Sequence, residues 1–463
     1  MIRRNALYCL ISAAVFAGNT TRAFPDDSLG ACRTVARQIM AAGLRSNGAY
    51  TILDELTRRA GSRLSGSKGA AAAVELTRQM MVERGFENVR LEEIFVPHWE
   101  RGKVEKLVML DGGVQTPFSV CAIGGSIGTP TGGITAEVVE VRSFEELRDV
   151  GENARGKIVF FNRPMDPTQF DTFAGYGGAV NQRAAGAIEA AKVGGVAALV
   201  RSVTLALDDV PHTGSMGYAD SVRRIPGAAI STKDANRLSS LLRAGKKIML
   251  HLQLSCRVLP DAPSANVLGE LRGKQFPDEV IVVGGHLDSW DKGTGAHDDG
   301  AGCAQALEAL HLLKQLGLVP RRTIRAVMFM NEENGMRGGL GYAAAPGRKR
   351  ERHVAALEAD RGGFAPRGFT VDADSATYER IVQWKPVFDQ FRAGDLIRGG
   401  SGVDISPLVK AGVPGFGLDV ENHRYFDYHH SANDTIDKVY PRELEVGAAL
   451  LAVMCYLISQ DGL

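Results

Sequence analysis

Three apolar runs in the second half of the chain each end on acidic or imidazole side chains. "VIVVGG" leads into His286 and Asp288, "AVMFMN" into Glu332 and Glu333, and "VAALEA" into Asp360. Between the first two lies "GAGCAQALEALHLLKQLG", with the spacing of a helix. Short apolar strands alternating with helices of this length build a parallel sheet with helices on its faces. In such sheets functional groups collect at the carboxyl edges of the strands. The predicted fold class is therefore α/β, with a mostly parallel central sheet flanked by helices. "EVIVVGGH", "RRTIRAVMFMN" and "HVAALEAD" supply strands, and "RELEVGAALLAVMCYLISQ" supplies a closing amphipathic helix.

At 463 residues the chain is long for one folded unit. Helices are predicted over 29–60 and 66–85, followed by strands in "VRLEEIFVPHWERG" and "KVEKLVMLDG". From residue 119 the texture becomes glycine- and β-rich, through "CAIGGSIGTPTGGITAEVVEV", "RGKIVFFNRP" and "KKIMLHLQLSCRV". This predicts a β-rich α+β insert at 119–254, with 24–118 and 255–463 forming the larger unit.

Residues 1–23 read as a signal peptide: Arg3 and Arg4, an apolar stretch from Ala6 to Ala17, then small residues suited to cleavage. The expectation is an exported protein, periplasmic or secreted. No later segment reaches eighteen uninterrupted apolar residues, so no membrane span is expected. A formal net charge of +1 gives no electrostatic reason to expect nucleic acid or an anionic membrane as partner. Cys32, Cys121, Cys256, Cys303 and Cys455 would remain after processing, scattered and odd in number. That pattern fits isolated buried thiols, with at most one bridge, and excludes a disulfide scaffold.

The chemistry concentrates in "GGHLDSWDKGTGAHDDG", residues 284–300. Carboxylates this crowded bind protons unless cations neutralise them. Taken singly, an H-x-D, a Glu pair or the "HH" of "YFDYHHSANDT" is weak. Together they offer carboxylate and imidazole donors that suit zinc or a zinc-like pair of divalent ions. In an extended segment side chains at i and i+2 share a face, so Asp288 can reach the His286 imidazole and fix its tautomer. Glu332 and Glu333 diverge at their strand end, so one can bind metal while the other faces a water.

The order "GGHLDS", then "DDGAG" with twelve residues from His286 to Asp298, then "NEENG", resembles the co-catalytic zinc peptidases of the M28 metallopeptidase family. "RLSGSKG", "VPHWERG", "PHTGSMGY", "AGVPGFGLD" and "YFDYHHSANDT" narrow the resemblance to a secreted, dipeptide-cleaving branch. It runs from about residue 45 to the C-terminus and implies that the insert is a protease-associated domain. It also implies two zinc ions per chain: His286 and Asp360 on one, Glu333 and His430 on the other, Asp298 bridging both. His430 rather than His429 is the implied ligand because it stands directly before "S-x-x-D-T". Glu332 is the implied general base, Asp288 supports His286, and Asp299 orients neighbours through hydrogen bonds after a cis Asp298–Asp299 peptide.

Some positions depart from the family pattern. His429 stands where many relatives have tyrosine, Asp404 in "SGVDISPL" lacks the histidine that usually follows it, and His212 lies in the insert. These three are candidate substrate contacts, and His297 is structural. The implied function is an exported di-zinc exopeptidase acting on dipeptides or short peptides, as a homodimer. A broad-specificity zinc aminopeptidase is the alternative. A single-zinc glutaminyl cyclase or a non-catalytic receptor-like protein is disfavoured, since both ligand sets and Glu332 are present.

Overall fold

The structure is a computed structural model describing residues 26–463, so the expected signal peptide and Cys9 lie outside the described residues. Its larger sheet has eight strands in the order Glu87–Glu100, Arg257–Leu271, Arg322–Phe329, Phe276–His286, Arg352–Glu358, Gly415–Val420, Pro366–Asp372 and Asp395–Arg398. Its four central strands, Arg322–Phe329 to Gly415–Val420, run parallel. Antiparallel pairs flank them on both sides, so the sheet is mixed at its edges.

The central strands are near-continuous apolar runs because both faces are covered. Ile281 and Val283 face a core built with helices Ala301–Gln315 and Pro441–Asp461, while Val280 and Val282 pack with Tyr342, Ile405 and Leu408 on the other side. That alternation is the period-2 rule of a strand. Pro441–Asp461 is long and apolar enough to cross a membrane, yet it is mostly buried against this core.

The helix predicted over 29–60 is two helices, Asp26–Ser46 and Gly48–Ala60, because Asn47 adopts a left-handed φ of 52° between them. Lys68–Glu83 forms as predicted, with the Ser67 hydroxyl accepting from the Ala70 N–H at 3.1 Å as its cap.

The second sheet also has eight strands: Val114–Phe118, Glu105–Asp111, Met249–Leu254, Ile134–Val141, Ile158–Phe161, Ala197–Arg201, Gly227–Ile230 and Val120–Ala122. It starts ahead of the expected boundary at 119. Glu105–Asp111 pairs with Met249–Leu254, and the turn at Gly112 and Gly113, both at positive φ, folds Val114–Phe118 back onto it. The partner strand lies so far along the chain that no local change of texture marks this edge.

A buried polar joint ties the two sheets together. Arg101 donates to both carboxylate oxygens of Asp291, at 2.8 and 2.5 Å, to Glu105 at 2.9 Å and to the Ala122 carbonyl. Trp99 and Trp290 meet edge-on beside it. All five described cysteines are unpaired, and four of them are buried.

Candidate metal centre

His286 ends its strand fully buried, with Nε2 3.2 Å from Asp298 Oδ1, 3.4 Å from Asp360 Oδ1 and 4.0 Å from Glu332 Oε2. On the other side of Asp298, His430 Nε2 lies 3.2 Å from Oδ2 and 3.0 Å from Glu333 Oε2. Six side chains from five separated places in the chain therefore converge, with Asp298 between the two histidines. The Asp298–Asp299 peptide is cis.

Asp299 points away from this centre: its carboxylate accepts from the His286 and Gly302 N–H groups, both at 3.0 Å. It thus joins the strand end to the start of helix Ala301–Gln315. Asp434, unassigned in the sequence, holds the same turn by accepting from the N–H groups of His297 and Asp298, at 2.7 and 3.1 Å.

Asp288 corrects an expectation. The group that accepts from His286 Nδ1 is the Asp288 main-chain carbonyl at 3.0 Å, while its carboxylate stands 3.9 Å off. The carboxylate instead accepts from the N–H groups of Asn331, Glu332 and Glu333, at 2.6, 3.1 and 3.3 Å. Asp288 therefore holds the turn that carries Glu332 and Glu333. Glu332, a fifth exposed, remains at the mouth of the cluster.

The second unit braces the loop of His429 and His430, and the turn of Glu333, from outside. Thr213 N–H donates to the His430 carbonyl at 2.9 Å, His212 Nδ1 to the His429 carbonyl at 2.7 Å, and Ser215 Oγ to the Glu333 carbonyl at 2.5 Å. His212 is thus committed to main chain rather than to substrate, and burial pushes its pKa down to about 4, leaving it neutral. Asp404 also departs from expectation. It is buried beside Glu358, with neither carboxylate oxygen hydrogen-bonded. His429 does line the cavity, stacked on His430 with ring centres 3.5 Å apart. His297 stacks on Phe364 with ring centres 4.2 Å apart, and Tyr428 lies near-parallel 5.3 Å away, a packing role.

The electrostatics are one-sided. Burial pushes Glu332 up to about 8, with the charges of Asp360, Asp288 and Asp298 adding to the shift against the pull of His286. Burial likewise raises Glu333 and Asp360. Burial would raise Asp298 too, but the His286 and His430 imidazoles close beside it outweigh that and hold it well below the usual range. Asp298 Oδ2 and Asp360 Oδ1 are buried without a hydrogen-bond donor. Donor atoms of His286, Asp298 and Glu333 lie within 4.8 Å of one another, as do those of Asp298, His429 and His430. Orphaned carboxylate oxygens and paired imidazoles at this spacing fit divalent cations of the zinc type.

The description "Peptidase family M28" matches residues 266–454. Carboxypeptidase Q of Mus musculus is 39% identical over 90% of this chain and 87% of its own length, and that of Homo sapiens is 37% identical over 96% and 93%. Among solved structures, the peptidase M28 precursor of Shewanella amazonensis SB2B superposes with a TM-score of 0.88 at 32% identity, covering 93% of this chain and 97% of that one.

Proposed function

Because this chain belongs to peptidase family M28, and is thereby a metallopeptidase, we propose that it is an exported di-zinc exopeptidase hydrolysing dipeptides or short peptides. The observation that carries this reading is the placement of Asp298 between His286 and His430, each with a further carboxylate, Asp360 or Glu333, within 3.4 Å. His286 and Asp360 would hold one cation, Glu333 and His430 the other, and Asp298 both.

Bound divalent cations supply Lewis acidity, polarising a scissile carbonyl and making a water acidic near neutral pH. Glu332 takes the proton of the attacking water and returns it to the leaving amine. Its place at the mouth, with its main-chain N–H fixed by Asp288, suits that shuttle. The His286 tautomer is set by the Asp288 carbonyl, which leaves Nε2 free to donate its lone pair. His429 forms part of the wall against which a substrate packs. Phe173, Tyr176, Tyr425 and Phe426 complete a cavity of about 240 Å³. That lies below the roughly 300–1,000 Å³ of ordinary small-molecule sites, so short substrates fit it best.

The reading extends to export through residues 1–23, to a protease-associated character for the second unit, and to a homodimer. N-terminal sequencing of the exported protein and light scattering test the first and last of these. The decisive experiment for the activity is a panel of one dipeptide in free, N-acylated and C-amidated forms. Cleavage of the free form only is expected of a dipeptidase, and loss on N-acylation alone marks an aminopeptidase. No cleavage of any form would overturn the reading.

A further inference from the structure

Arg183, on helix Asn181–Lys192 of the second unit, is a buried cation with no anion. Only 7% of it is exposed, and among the described residues no carboxylate oxygen lies within 4.0 Å of its guanidinium. Its partners are neutral. Nη2 donates to the Tyr176 hydroxyl at 2.6 Å and Nη1 to the Thr213 carbonyl at 3.2 Å, with His430 Nδ1 a long 3.4 Å away. Nε is buried and has no partner. The guanidinium shares the 240 Å³ cavity with Asp298, Glu332, Glu333 and Asp360.

The chain makes room for this side chain at some cost in backbone freedom. Gly214 sits at φ 126°, and a Cβ there would stand 2.3 Å from Arg183 Cζ. Any other residue would displace the guanidinium from the cavity wall. A buried, unpaired charge is expensive unless an anion completes it. The carboxylates of the cavity, Asp298, Glu332, Glu333 and Asp360, do not do so, because none has an oxygen within 4.0 Å of the guanidinium. A substrate anion entering the cavity would complete it, and a planar guanidinium fork matches a carboxylate in two hydrogen bonds.

We propose that Arg183 receives the free terminal carboxylate of the peptide substrate, so that the second unit selects chains whose C-terminus lies within reach of the metal centre. This rests on the exopeptidase reading above and names its substrate class: short peptides ending in a free carboxyl group.

The test compares a free dipeptide with its C-terminal amide in the zinc-loaded enzyme and in Arg183→Lys and Arg183→Met, with melting curves and metal content measured on each. Calorimetric affinity for the free dipeptide is measured in a Glu332→Gln background, where turnover does not intervene. The preference for free acid over amide should fall tenfold or more in both variants, mainly through KM, with metal content unchanged. Affinity for the free dipeptide should fall by a similar factor, the larger loss in Arg183→Met. An equal slowing of acid and amide, or a loss of metal, would overturn the proposal and make Arg183 a brace for His430. A wild-type enzyme that cleaves acid and amide equally well would overturn it too, while leaving the exopeptidase reading intact. Failure to cleave either would instead sink that reading.

Discussion

The two carboxylate oxygens of Asp298 face different histidines, Oδ1 toward His286 and Oδ2 toward His430, each 3.2 Å from a ring Nε2. One residue thus couples the two halves of the centre. Asp298→Asn keeps the shape and removes the shared charge, so both metals should be lost together. Metal content by elemental analysis should drop below one per chain, and kcat/KM by about 10³-fold or more, several kcal/mol of lost charge stabilisation. Retention of one full equivalent of metal would show that the halves bind independently.

Glu332 lies 4.0 Å from His286 Nε2 and hydrogen-bonds to none of the proposed ligands. Glu332→Gln should keep its metal while kcat falls by about 10²–10⁴-fold, the usual contribution of a positioned acid–base group. Wild-type turnover in this variant would exclude Glu332 as the base.

Asp288 accepts three main-chain hydrogen bonds from residues 331–333 with a fully buried carboxylate. In Asp288→Asn an amide NH₂ replaces one acceptor oxygen and faces an N–H donor. Thermal or denaturant unfolding should show a loss of about 1–3 kcal/mol, the cost of an unsatisfied buried donor. Activity should fall with it as the Glu332 turn loosens. A variant as stable as wild type would mean that this turn is held by other contacts.

A pH effect is expected far from the metal centre. Glu308, inside helix Ala301–Gln315, is pushed up to about 7 from 4.5 by burial, with Glu445 adding to the shift against the Ser46 hydrogen bond. The folded chain therefore holds a proton between pH 4.5 and 7 that the unfolded chain releases. The stabilisation is complete below about 4.5 and is lost as pH rises through 7, up to roughly 3 kcal/mol. His212, His297 and His430, whose pKa values burial lowers, contribute with opposite sign, so the readout is the difference between Glu308→Gln and wild type. Melting temperatures of the variant should exceed those of wild type increasingly from pH 5 to pH 8. Parallel curves would place the Glu308 carboxyl in its ordinary range.

Much of this centre was legible because strand ends announce themselves: an apolar run that stops on His286, Glu333 or Asp360 has few bland explanations once three such ends share a sheet. Asp298 and His430 lie in loops, where no periodicity places them, and only the motif order of the family picked them out. Asp288 was misassigned because i, i+2 spacing gives a shared face but not the accepting atom. Its own carbonyl lies nearer the imidazole, and its carboxylate is drawn to N–H groups 43 to 45 residues away. Asp434 bonds across 136 and 137 residues, and Arg183 reads locally as one more polar position in "NQRAAG". Its burial against a loop 247 residues later comes from tertiary packing alone. The same holds for the start of the second sheet at Glu105, fixed by a strand that arrives only at Met249.

The central claim is that these crowded carboxylates and imidazoles exist to hold two divalent cations that make the chain a peptidase. Titrating zinc into chelator-stripped protein while following dipeptide hydrolysis tests it most directly. Activity should be absent at the start and reach its plateau at two equivalents per chain, with the bound ions counted in parallel. Full activity in the stripped protein, or a plateau at a single bound ion, would contradict it.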